Sequence, residues 1–486
     1  MTNVNFDKFL TQVGEIGFIN KVVSSLVYAE GLPGAKPEEL VIFESGELGE
    51  VTALTESNVE ILGFSKNPVR VGSRVVRTNK ALEVPVGEEL LGRVLNPLGR
   101  SIDPSSPVPP MKEMRPIEIL PPGIGKRARI KTPCHTGVAL ADLMIPLGKG
   151  QRELVMGDQK TGKSRFLLRS LLTQVRQGAV GVYAVIGKGQ VAVKQIEESL
   201  RQLGIMDRTV IVTSMSDDAS GMIFLTPYTA MTIAEYFRDA GRDVLLVLDD
   251  LSVHAKAYRE IALLGRRFPG RNSYPGDIFY THARLLERAG NFITPLGERA
   301  ITCLPVVETT QGDLTGFIQT NIMAMTDGHI FFDHTLFAEG RRPAIDPFLS
   351  VTRVGRQTQT PLQREVGRTL ITFLREVAGL HNFASFGAEL GERIRSSLEK
   401  EKRIMQFFDQ TAYDSIPANL QLVLFGLIWG DFWQEKNLEE VRLAIQKTIF
   451  MYETRLEVRR RVDGTISLCD STESLINHIG DLDFFK

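Results

Sequence analysis

Apolar positions along the chain change their rhythm twice. From about Gly17 to Val84 they come in short runs broken by Gly, Pro and Asn, such as FINKVVSSLVYAEGL, ELVIFESG and RVGSRVVRT. Runs of that length between regular turn signals predict a small antiparallel β-barrel or sandwich. From about Gly148 to Leu349 longer apolar runs (ELVMG, GVYAVIG, TVIVTS, DVLLVLDD, ITCLPVVE, IFFD) alternate with amphipathic helical spacing. That alternation predicts a mostly parallel sheet covered on both faces. From about Thr358 the turn signals thin out and the spacing becomes helical, as in REVGRTLITFLREVAGL and LEEVRLAIQKTIFMYETRLEVRRRV. Between the first two zones lies a stretch carrying Pro97, Pro104, Pro107, Pro109, Pro110, Pro116, Pro121 and Pro122. Proline removes backbone donors and blocks continuous helix, so a domain junction belongs there.

The expected fold class is therefore multidomain α+β: N-terminal β-barrel, central P-loop α/β domain, C-terminal helical domain. The boundaries read as a helix or tail over 1–16, the barrel over 17–86, the nucleotide domain with its proline-rich entry over 87–357, and helices over 358–486. A length of 486 residues agrees with roughly three domains. Composition changes the picture mainly by exclusion. Lys plus Arg (57) balances Asp plus Glu (58) for a net charge of -1, which disfavours a broad phosphate footprint on nucleic acid. Cys134, Cys303 and Cys469 lie too far apart for a zinc knuckle or a disulfide framework, which suits a reducing compartment. The N-terminus lacks a basic segment followed by an apolar core, and the apolar run Leu420–Trp429 is too short to span a bilayer. No internal repeat or low-complexity tract is visible.

The chemistry starts at Gly157-Asp158-Gln159-Lys160-Thr161-Gly162-Lys163-Ser164, which matches G-x-x-x-x-G-K-[ST] between a strand-like ELVM and a helical RFLLRSLLTQV. Glycines let backbone amides wrap a phosphate, and the helix N-terminus adds positive potential. Lys163 is expected to reach the β- and γ-phosphates and Ser164 to ligate Mg²⁺. The run VLLVLDD ends in Asp249 and Asp250, and Asp249 is the expected carboxylate partner of the metal. These features imply binding of a nucleoside triphosphate with magnesium. GRRFPGR (Gly265 to Arg271) is a basic cluster without an aromatic platform, poor ground for RNA binding. His329 and His334, flanking a strand-like run, read as solvated or core-packed.

Three further segments carry a resemblance. DDLSVHAKAYREIALLGRRFPGRNSYPGDIFYTHARLLERAG, ETTQGDLTGFIQTNIMAMTDGHIFF and RRPAIDPFLSVTRVG are similar to the alpha-subunit family of the rotary F-type ATP synthases. The resemblance runs from roughly Gly17 to past Phe425 and implies a barrel, a RecA-like nucleotide domain and a helical end. It also implies an alternating hexamer with beta-type catalytic subunits, contacts to a central-stalk gamma-type and a peripheral-stalk delta-type subunit, and service in ion (proton) transport. The chain would then be a peripheral membrane protein on the cytoplasmic side of a bacterial-type membrane.

Within that family, hydrolysis needs a Glu after the strand that follows the P-loop helix; the usual alpha subunit has Gln there and this chain has Lys188. A lysine is no base for the attacking water and would place an extra cation near the γ-phosphate. The resemblance further implies that Arg353 is an arginine finger acting in trans and that Ser350 shapes its loop. Arg342 and Pro343 would line the adenine pocket. Gln410 matches the first of two pocket glutamines, the second falling on Ala412. The usual loop reads G-D-R-Q-T-G-K-T, so Gln159, Lys160 and Ser164 are departures. The segment Phe6 to Val13 matches the place where the peripheral stalk is held. The expected protein is a noncatalytic, nucleotide-binding ring subunit. The competing expectation, a homohexameric secretion-type or RNA-translocating ATPase, needs a carboxylate at position 188.

Overall fold

In a computed structural model, residues 6–480 are described except 68, 104–110, 112, 385–391 and 411–414, with 482 and 485 in addition and without the side chains of 382–384. Ala412 and the prolines at 104, 107, 109 and 110 therefore lie outside the described residues. Contacts group the chain into two units, one of residues 1–128, 178–308 and 314–326, the other of 129–177, 309–313 and 327–486.

In the first unit, strands β1 (Ile16–Val23), β2 (Leu26–Glu30), β3 (Glu39–Phe43), β4 (Leu48–Leu54), β5 (Val59–Gly63) and β6 (Arg74–Ala81) close a barrel in the order β1-β2-β5-β4-β3-β6. Closure removes the unpaired edges that would otherwise invite aggregation. Alternate side chains of these strands, among them Ile19, Val41, Phe43, Val51, Ile61 and Val75, form its core. The helix Phe6–Val13 lays Phe6, Phe9 and Leu10 against Ile42 and Val76 on the barrel's outside. Its i, i+3, i+4 spacing creates one apolar stripe, which that packing covers.

The same unit carries a parallel ladder of Val94–Leu95, Thr209–Met215, Val180–Lys188, Val244–Asp249 and Gly297–Glu308, with Gly290–Thr294 added antiparallel. Val244–Asp249 is buried along its whole length and Val180–Lys188 for all but its last two residues, as a sheet covered on both faces requires. Deep in this layer Arg288 and Glu235 form an ion pair at 2.6 Å, and Arg288 also donates to Ile117 O and the Thr232 hydroxyl.

In the second unit, Glu153–Gly157 pairs in parallel with Gly328–Phe332, which pairs antiparallel with Ile345–Thr352. The helix Lys163–Arg176 follows the first of these strands. Pro361–Ala384, Glu392–Phe408, Ala418–Trp429, Leu438–Thr454, Leu456–Leu468 and Thr472–Ile479 make the helical end. Ala418–Trp429 is apolar on all sides because it is buried from Leu420 to Ile428. The barrel, the mostly parallel strands and the terminal helices thus agree with the periodicity of the sequence. Strands Gly290–Thr294 and Ile345–Thr352 were not among those the apolar runs marked, since both are partly exposed.

Candidate functional site

The phosphate loop leaves strand Glu153–Gly157 and enters the helix at Lys163. Two glycines are demanded by geometry. A Cβ on Gly157 would lie 2.4 Å from the Phe332 carbonyl oxygen, and Gly162 caps the helix at φ +101°, a region that side chains avoid. Lys163 donates to the carbonyls of Gly157 and Asp158 at 2.7 and 2.5 Å, and Thr161 Oγ1 donates to Asp158 O at 2.8 Å. The Asp158 carboxylate accepts from Thr309 Oγ1 (2.5 Å) and the Gly312 amide (3.0 Å), with His334 Nδ1 3.7 Å away. Partial burial works against ionisation of Asp158, but these donors, with Lys163, hold its carboxyl below the usual range. The loop is thereby tied to the turn after Thr309. Ser164 is exposed at the start of the helix.

Arg342, Pro343 and Gln410 come together beside this loop. The Gln410 amide donates to Arg342 O at 2.8 Å. Its side chain accepts from the Ala139 amide (2.8 Å) and donates to Gly137 O (2.9 Å). The Arg342 guanidinium lies over the Phe337 ring at 3.7 Å. With Thr161, Gly162 and Phe166, these residues line a cavity of about 30 Å³, and a wider groove of about 730 Å³ opens on the Met405 and Phe408 side of Arg342–Pro343.

Arg353 and Ser350 sit together elsewhere in the same unit. Ser350 Oγ donates to Asp346 O at 2.6 Å and accepts from the Phe331 amide at 3.0 Å, filling a break in register between Gly328–Phe332 and Ile345–Thr352. Arg353 is exposed, while the residues beneath it are held fast. Its amide donates to Asp327 O (3.0 Å), Asp327 pairs with Arg152 (2.8 Å), and Thr352 is bonded by Gln151 and to Pro146 O. Burial pushes the Glu153 carboxyl well up, opposed by the Gln151 hydrogen bond and the Arg353 charge.

In the first unit, Lys188 ends strand Val180–Lys188 next to the strand that delivers Asp249. Its ammonium lies 2.5 Å from Asp249 Oδ1, and the Tyr183 hydroxyl donates to Asp249 Oδ2 at 2.9 Å. Asp249 is 2% exposed. Burial and the Asp249 charge push Tyr183 far up, so it remains a donor. Asp250 caps the next helix through the Val253 amide at 2.9 Å, and burial, with the charges of Asp249 and Glu308, pushes it up to about 6. Within its own unit each expected metal residue differs: Ser164 is exposed, whereas both Asp249 oxygens are engaged, so Asp249 as it stands does not fit a magnesium ligand.

Sequence reasoning did not single out Thr309, Gly312, Arg152, Asp327 or Tyr183. Thr309 and Gly312 stand in the ETTQGD segment, whose similarity was visible but whose contact with the loop was not. His329 is buried and its Nε2 lies 2.8 Å from Leu349 O, while His334 is largely exposed.

Residues 137–352 match the ATP synthase alpha/beta family, nucleotide-binding domain. Two proteins described as ATP synthase subunit alpha, from two strains of Lactobacillus delbrueckii subsp. bulgaricus, are each 38% identical to this chain over 430 residues, covering 88% of it and 85% of their own length.

Proposed function

The chain belongs to the ATP synthase alpha/beta family, alpha-type over most of its length, and from that premise we propose that it is a noncatalytic, nucleotide-binding subunit that completes its partner's active site. The observation that carries this reading is Lys188. Hydrolysis requires a carboxylate to polarise the attacking water, and here the position holds a cation paired with Asp249.

In this reading the amides of Gly157 to Ser164, including Asp158, Gln159, Lys160 and Thr161, and the Lys163 ammonium hold the phosphates of ATP or ADP. Arg342, Pro343 and Gln410 face the base. Magnesium, when bound, neutralises phosphate charge, and Ser164 is the residue suited to meet it. Arg353 reaches into the catalytic site of a beta-type neighbour in an alternating ring, where a permanent, forked positive charge offsets charge developing on the transferred phosphoryl group. Ser350 shapes the loop that presents it. The exposed guanidinium on a braced base supports this assignment. Gamma-type and delta-type subunits are the further partners, the latter at the helix Phe6–Val13. The complex is an H⁺-transporting two-sector ATPase on the cytoplasmic face of a membrane, and this chain meets the membrane only through it. Among the described residues no helix is long and apolar enough to cross a bilayer.

The test is ATP hydrolysis by the purified chain, with bound nucleotide quantified, followed by reconstitution with beta-type subunits. Nucleotide without turnover, then turnover in the ring, is the expected outcome. Steady turnover by the chain alone, lost in Lys163→Ala, would replace this reading with the homohexameric motor.

A further inference from the structure

We propose that the base end of the nucleotide site reads an exocyclic oxygen, with Arg165 as the specificity-determining residue, so that guanine and hypoxanthine nucleotides bind more tightly than adenine nucleotides. The inference deepens the reading that the chain binds nucleotide through Gly157 to Ser164, and it rests on that reading. Every residue it uses belongs to the second unit.

The helix that starts at Lys163 lends Arg165, Phe166 and Arg169 to the cavity that Arg342, Pro343 and Gln410 also line. Arg165 and Arg169 are four residues apart and so share a helix face. Among the described residues three guanidiniums and no carboxylate line this cavity. The side-chain oxygens there are already held by the protein. Gln410 Oε1 accepts from the Ala139 amide at 2.8 Å while Nε2 donates to Gly137 O at 2.9 Å, which fixes the side chain at both ends. Thr161 Oγ1 is turned to Asp158 O at 2.8 Å. The Arg342 carbonyl oxygen accepts from the Gln410 amide, also at 2.8 Å.

The three guanidiniums are not equally available. Arg342 lies over the Phe337 ring and donates to Phe337 O and Arg341 O at 2.9 and 2.7 Å. Arg169 is only 4% exposed. Arg165 is exposed, and among the described residues its side chain enters no hydrogen bond or ion pair. A purine presents N7 and the group on C6 along one edge. In guanine and hypoxanthine that group is an oxygen, so the edge accepts both parallel donors of one guanidinium. In adenine it is an amino group, which sets donor against donor. A lining rich in donors, with its acceptors engaged, therefore favours the oxygen.

The test is isothermal titration of the full chain with the magnesium complexes of ATP, GTP and ITP, on the wild type, R165A and R165K. In the wild type GTP and ITP are expected to bind about tenfold more tightly than ATP, the size of one bidentate pair. R165A should bring the three within about threefold of one another. R165K keeps the charge but loses the fork, and should lose the preference as well. The wild-type comparison alone decides the matter if neither variant folds. ATP bound as tightly as GTP and ITP overturns the inference and leaves the nucleotide reading standing. So does GTP bound tightly with ITP as weak as ATP, since the amino group that guanine alone carries is then what is read. A preference that survives in R165A or R165K takes the reading of the base away from the Arg165 fork and also overturns it. Failure to bind any of the three nucleotides overturns both.

Discussion

The phosphate loop and the Lys188–Asp249 pair are held in different ways. The loop is shaped by its backbone: Gly157 lies against the Phe332 carbonyl, Gly162 sits at positive φ, and a lysine starts the helix. At the other place side-chain charge decides, because a buried carboxylate holds an ammonium. Binding depends on backbone amides, which tolerate substitution of side chains. Hydrolysis depends on one carboxylate, which does not. Under the proposed function the two capacities rest on separate strand ends, and the comparison teaches that they can then be lost independently.

The largest effect is expected at the residue that serves neither place. Arg353→Ala should lower turnover of a reconstituted ring by roughly 10³-fold or more, while ATP binding by the isolated chain is unchanged in titration. A proportional loss of binding would show that Arg353 supports this chain's own fold instead. Lys163→Ala should weaken ATP binding by roughly tenfold to a hundredfold, the loss of charge-assisted contacts to phosphate, and should leave Tm within about 2 °C. If both the affinity and Tm fall, the loop is less independent of its side chains than the comparison holds.

Two smaller effects concern pH. Glu50, buried in the barrel, is pushed up to about 8 by desolvation and by the charges of Glu118 and Glu38. Its folded value lies above its unfolded one, so the folded state binds the extra proton. Stability from this group is full below about pH 4.3 and is lost as pH rises toward 8. Tm measured across that range should fall with pH in the wild type and fall less in Glu50→Gln. Asp158 titrates in the other sense. Its folded value is lowered, so its contribution is present above the unfolded value near 3.9 and disappears on acidification below it. Acid unfolding of Asp158→Asn should therefore begin from a less stable protein at neutral pH and show a shallower decline at the acid end. An unchanged profile would detach Asp158 from the tie between the loop and Thr309.

Much of the molecule was legible because its signals are local. The barrel strands come as short apolar runs between turn residues, the central strands are mostly apolar, and the loop motif sits between a strand and a helix, each visible within about ten residues of sequence. Gln410 was legible only as a match in a pattern, and its bonds to Gly137 and Ala139 were not, since some 270 positions separate them. The same holds for Ser350, whose hydroxyl fills a register break that strand spacing does not announce.

The sequence by itself determined the order of architectures, the presence of a phosphate-loop motif and a lysine at position 188. These depend on residue identity and on periods of two or 3.6. Only the tertiary structure decided where charges are spent. It set the Lys188 ammonium on Asp249 and Asp158 on Thr309 and Gly312, and it buried Glu153 so that its carboxyl is pushed well up. Which carboxylate a lysine finds depends on strand register and burial, and both are settled only when distant segments pack together.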